Sequence, residues 1–130
     1  MHNKEEKLNE FGRLLEIMSE LRQKCPWDKE QTFESLRTLT IEETYELADA
    51  IIKEDKTEIR KELGDILLHI VFYAEMGSET DDFDIYDVCR GLCEKLIYRH
   101  PHIFADTEAD DSETVMQNWE TLKLKEKGGN

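Results

Sequence analysis

Apolar residues three and four apart constrain this chain more than any other feature. Leu8, Phe11, Leu14, Leu15, Met18 and Leu21 mark one face of a helix from Lys4 to Lys24. A second helical stretch is expected from about Phe33 to Glu54, bent near Thr38 to Thr40, with Ile41, Tyr45, Ala48, Ile51 and Ile52 as its inner stripe. After an "EDKT" link, with Asp55 or Thr57 as N-cap, a third helix runs to about Gly77. Its expected core residues are Ile59, Leu63, Ile66, Leu67, Ile70, Val71 and Ala74. A fourth runs from Ile85 to Tyr98, and a last from about Glu113 to Lys125, before a fraying "KGGN" at 127–130. No alternating run of strand length competes with this pattern. The expected fold is all-α, a bundle of about five helices.

Between the helices, Pro26 and Pro101 act as punctuation, and Cys25 is kept out of helix by the proline after it. "SETDDFD" reads as a polar loop whose aspartates lack EF-hand spacing and serve better as N-caps, and "DTEADDSET" reads as an acidic loop. Trp27, beside Pro26, is expected to anchor packing.

The chain has 130 residues, which suits one domain over 1–130, since domains commonly hold about 100–200. Apolar residues make up 38% and charged residues 37%, so burial is expected to be completed by oligomerisation, with a homodimer favoured. A net charge of −14 repels nucleic-acid backbones and favours divalent cations. No segment approaches the roughly 20 apolar residues of a membrane helix, and the N-terminus has no signal-peptide core. Three cysteines without framework spacing suit a reducing cytoplasm, and Cys89 and Cys93 are expected to be ordinary buried thiols.

Against this background the carboxylates need explaining. Glu43 and Glu46 share one helix face, and Glu62 and Asp65 share another. The short link makes the two helices antiparallel neighbours, so the pairs can meet. Four converging carboxylates repel unless a cation lies between them, and an all-oxygen set favours Mg²⁺ or Mn²⁺. The competing reading is a solvated acidic stripe. Asp65 and Gly64, set among leucines and isoleucines, weigh against it, because both are poor interior helix residues. Gly64 is expected to mark the close approach of another backbone or a ligand.

Glu-Glu-x-x-Glu at 42–46 followed by Glu-x-x-Asp at 62–65, with "CPWDKEQT" upstream and "EKLIYRHPHIF" downstream, closely resembles the MazG-like nucleoside triphosphate pyrophosphohydrolases. The resemblance covers nearly the whole chain. It implies an all-α enzyme that converts nucleoside triphosphate and water into nucleoside monophosphate and pyrophosphate. Its metal ligands would fall on Glu43, Glu46, Glu62 and Asp65, with Glu42 and Asp49 as outer-shell groups. Its basic and aromatic substrate contacts would fall on Lys95, Arg99, Trp119 and Lys123. Two departures stand out. Many members carry two tandem copies where this chain has one, and Tyr98 replaces a frequent second basic residue.

On this reading the metal, Mg²⁺ or substituting Mn²⁺, neutralises phosphate charge, and Glu46 or Glu43 accepts the proton of the attacking water. Lys95 and Arg99 are one turn apart and suit phosphate oxygens, or else simply complement a helix C-terminus. Trp119 suits base stacking or core packing. His100 and His102 flank Pro101 and read as helix termination. His69 is either an outer-shell group or a half-buried, satisfied side chain. The alternative function is a helical phosphotransfer or docking module using an exposed His69. A di-iron bundle needs Glu-x-x-His pairs, which are absent.

Overall fold

The computed structural model describes residues 1–105 and 111–128. Among them lie α1 (Lys4–Lys24), α2 (Pro26–Glu30), α3 (Phe33–Ile52), α4 (Lys56–Glu79), α5 (Ile85–Arg99), α6 (Pro101–Phe104) and α7 (Ser112–Gly128), with no strand. The fold is all-α. Five long helices match the expected ones, and α3 runs without interruption through Thr38 to Thr40. The two additional short helices each begin at a proline, Pro26 and Pro101. Proline is well suited to the first helical position, where its missing N–H leaves no bond unmade. The acidic loop at 106–110 and residues 129 and 130 lie outside the described residues, while 127 and 128 belong to α7.

The chain divides into two compact units, Met1–Ile85 and Tyr86–Asn130. In the first, Met18, Leu36, Val71, Phe72 and Met76 form the buried core, bordered by Phe11, Leu14, Leu15, Tyr73 and Ile85. Capping boxes start α1 (Asn3 with Glu6) and α3 (Thr32 with Ser35). Gly77 is the glycine that packing requires, because a Cβ there would meet the Phe83 ring at 2.7 Å. At Gly64 a Cβ would meet nothing of the described residues within 4 Å, so no other described part of this chain closes on it.

A single arginine holds α2 in place. Five residues are too few to sustain a helix alone. Arg22 Nη1 donates to the carbonyls of Asp28 (2.6 Å), Gln31 (2.9 Å) and Lys29 (3.1 Å). Its Nε and Nη2 donate to Glu79 at 2.7 and 3.1 Å, and only 16% of the side chain is exposed. Arg22→Ala should therefore cost about 2–4 kcal/mol, measured by urea denaturation, with Arg22→Lys recovering little because an ammonium cannot serve both sets.

Several expected core residues face outward instead. On α3 the buried residues are Leu36 and Ala50, whereas Tyr45 is 73% and Ile52 78% exposed, and Ile41, Ala48 and Ile51 are exposed too. On α4, Val71 and Ala74 are buried as expected, but Leu63, Leu67 and Ile70 are exposed. Periodicity identifies residues that share a face; it does not say which neighbour covers that face. Trp27 is 54% exposed and anchors no core. Cys89 and Cys93 are also exposed, because α5 buries none of its residues.

Candidate functional site

The site is set by the turn between α3 and α4, residues 53–55. Glu54 takes a left-handed conformation (φ 56°) after α3. Its N–H donates to Ile51 O (3.0 Å) and that of Asp55 to Ala50 O (3.3 Å), which closes α3 with a Schellman motif. Asp55 then caps α4 by accepting from the Glu58 N–H at 3.2 Å. A turn bonded to both helices fixes which faces meet. Farther along the pair, Thr40 Oγ1 bonds His69 Nδ1 (2.6 Å) and Tyr73 OH (2.5 Å). Thr40 lies one turn from Glu43, and His69 one turn from Asp65, so the register is pinned on either side of the carboxylates.

Between these fixtures, carboxylate oxygens of Glu43, Glu62 and Asp65 lie within 4.8 Å of one another. Glu43 and Glu62 are half-buried, and the Oε2 atom of each is enclosed without a hydrogen-bond partner. Burial, then the charges of Glu46 and Asp65, push the Glu43 carboxyl up to about 7. Glu62 is also raised, chiefly by burial. Three oxygen donors at this spacing fit a hard divalent ion. Glu46 is exposed and outside the tight trio, yet its charge acts on both Glu43 and Glu62.

A cleft of about 170 Å³ opens beside the trio, lined by Glu46, Asp49, Ala50, Lys53, Glu58 and Glu62. It is small beside the roughly 300–1,000 Å³ common for small-molecule pockets. Asp49 pairs there with Lys53 at 3.3 Å. Glu42 is exposed and outside the cluster. Lys53 stands one turn after Asp49, the spacing of an ordinary helical ion pair. A larger cavity of about 580 Å³, lined by His2, Glu6, Lys7, Asn9 and Glu10, is an open groove along the start of α1.

His69 is 8% exposed and tied to Thr40, and burial lowers its pKa. A phosphoacceptor must reach its donor, so the phosphotransfer alternative loses the exposed histidine it needs.

Three of the four residues expected to contact substrate come together in the second unit. Arg99 lies over the Trp119 ring, its Cζ 5.5 Å from the centroid, and Lys123 Nζ is 4.7 Å from the same centroid. Lys95 is exposed on α5 and acts electrostatically on Glu126, which pairs with Arg99. Trp119 Nε1 is enclosed without a partner.

A family model described as the MazG nucleotide pyrophosphohydrolase domain matches residues 31–104. A nucleoside triphosphate pyrophosphohydrolase of Escherichia coli (strain K12) is 49% identical over 123 residues, covering 92% of this chain and 47% of that protein. The nucleoside triphosphate pyrophosphohydrolase/pyrophosphatase MazG of Thermotoga maritima is 45% identical over 120 residues, covering 91% of this chain and 46% of that one. The chain thus spans about half the length of these curated relatives. Among solved structures, a mazG-related protein from Thermotoga maritima matches with a TM-score of 0.73 at 27% identity, over 87% of this chain and 98% of that one.

Proposed function

Because the chain belongs to the MazG nucleotide pyrophosphohydrolase family, we propose that it hydrolyses nucleoside triphosphates to nucleoside monophosphate and pyrophosphate in a Mg²⁺-dependent reaction. The observation that carries this reading is the pair of enclosed, unpartnered oxygens on Glu43 and Glu62, with Asp65 beside them. Glu43, Glu62 and Asp65 would hold Mg²⁺, or Mn²⁺ in its place, with Glu46 at the edge of the set. When bound, the ion neutralises phosphate charge and acidifies a coordinated water.

The chain's own residues supply the rest. Water attacks the α-phosphorus, a new P–O bond forms, and the bond to the bridging oxygen breaks as pyrophosphate leaves with its electron pair. Glu46 takes the proton, being the carboxylate of the group that stands outside the tight trio and lines the cleft. In the second unit, taken by itself, Lys95, Arg99 and Lys123 offer cations suited to phosphate oxygens, and Trp119 a ring suited to a base. Asp49, paired with Lys53, acts as an outer group at the cleft rim.

We further propose a homodimer. Ile41, Tyr45, Ala48 and Ile52 repeat at helical spacing along one exposed face of α3, a stripe that a second copy would cover. Among the described residues no helix is long and apolar enough to cross a membrane, and a cytoplasmic role in clearing non-canonical nucleotides is consistent with the chemistry. The test is a panel of canonical and altered nucleoside triphosphates, assayed for monophosphate and pyrophosphate with Mg²⁺ and with EDTA. Hydrolysis that needs the ion is expected. Release of orthophosphate instead, or rates unaffected by EDTA, would refute the proposal.

A further inference from the structure

Arg99 is held from two sides within its own unit. Its Nε donates to Glu126 Oε1 at 3.1 Å and its Nη2 to Glu126 Oε2 at 2.6 Å, while its Cζ lies over Trp119. Only 13% of the side chain is exposed. A guanidinium carries five N–H donors in a rigid plane and can serve two oxyanions along two edges. Glu126 uses the Nε–Nη2 edge, which leaves the Nη1–Nη2 edge at the tip.

We infer that Glu126 is a positioning residue, which clamps the inner edge of Arg99 so that the outer edge is presented to a phosphate of the substrate. The inference rests on the proposed function and adds to it a residue that acts through Arg99. A carboxylate competing with phosphate would take the tip edge, where an incoming anion arrives end-on. Glu126 takes the side edge instead. The pairing also leaves the cluster attractive to anions. Lys95 and Lys123 act on Glu126, and Glu120 acts on Arg99, so among the described residues three cations face two carboxylates. Arginine loses considerable rotamer freedom when fixed, and a side chain already clamped by Glu126 and Trp119 has met that cost before substrate arrives.

The experiment combines calorimetry of inorganic tripolyphosphate binding in the presence of Mg²⁺ with kinetics on the best triphosphate of the panel. Glu126→Gln should weaken tripolyphosphate binding about tenfold and raise KM by a similar factor, the loss of one charge-assisted hydrogen bond pair. The expected change in kcat is less than about twofold, because Arg99 holds phosphate in both ground and transition states. Mg²⁺ affinity without tripolyphosphate should not move. Glu126→Asp keeps the charge one methylene short and should fall between; should Glu126→Gln lose helix content, Glu126→Asp decides the matter, and a wild-type KM there overturns the inference. Glu113→Gln removes the same charge from the same helix and should behave as wild type. A lowered KM in Glu126→Gln would make Glu126 a competitor of substrate, and an unchanged one would show that Arg99 needs no clamp; each overturns the inference alone. Wild-type protein that fails to bind tripolyphosphate would overturn both the inference and the reading beneath it.

Discussion

Changing Glu62 to glutamine is expected to reduce pyrophosphate release on the order of 10³-fold while leaving the helical circular dichroism signal intact. Glu43→Gln and Asp65→Asn should do the same, and all three should lose Mg²⁺ affinity by calorimetry. The reason is geometric. Among the described residues these three form the one group of three or more such side chains whose ligand atoms all lie within 4.8 Å of one another. Glu46→Gln should separate from them: kcat falls by a comparable factor, but Mg²⁺ still binds, because Glu46 stands outside the trio. The variants of the trio should also melt higher than wild type in EDTA, since each removes a charge from a group of mutually repelling acids. Wild-type turnover in any two of them would place the metal elsewhere.

The second large effect concerns pH. Metal-free protein should become less stable as pH rises from about 4.5 to about 7, the interval over which Glu43 is protonated in the folded state but already ionised in the unfolded one. A carboxyl whose folded pKa is raised favours folding only while it holds its proton, so its contribution is present below about pH 4.5 and gone above the folded value. Mg²⁺ binding must then expel that proton. Below about pH 7 the apparent Mg²⁺ affinity should rise by up to tenfold per pH unit and level off above it. Thermal melts at pH 5 and pH 8, in EDTA and in Mg²⁺, test both halves: the melting temperature should fall with pH in EDTA, and Mg²⁺ should restore it most strongly at pH 8. Glu43→Gln should flatten the EDTA profile. An unchanged profile in that variant would mean that Glu43 carries no displaced proton.

Much of this was legible in the chain because its signals are local. The limits of α1, the capping role of Asp55 and the meeting of two carboxylate-bearing helices all follow from spacing and short-range hydrogen bonding. The helix stripes were less legible. Tyr45 and Ile52 repeat at the same spacing as a buried face, yet in the single chain they face outward, and no local rule separates a face covered by the same chain from one left for another. The brief helices at Pro26 and Pro101 were hidden for a different reason. Proline both ends one helix and suits the first turn of the next, and only tertiary support such as that from Arg22 decides whether the next one forms. Gly77 shows the same limit: a helical glycine there is explained by the Phe83 ring, a neighbour that no local pattern announces.

The bonded turn at residues 53–55 has a kinetic consequence. All three trio members lie on helices consecutive in the chain, so the carboxylate trio forms by closing one very short loop rather than by bringing remote segments together. Such closures occur in roughly 10–100 ns and hairpin-scale structures in microseconds, and proteins dominated by contacts of this range fold fast. During synthesis the trio can assemble as soon as α4 has left the ribosome, before α5 to α7 have emerged. A dication present at that moment would draw the two helices together and act as a nucleus for the remainder of the first unit.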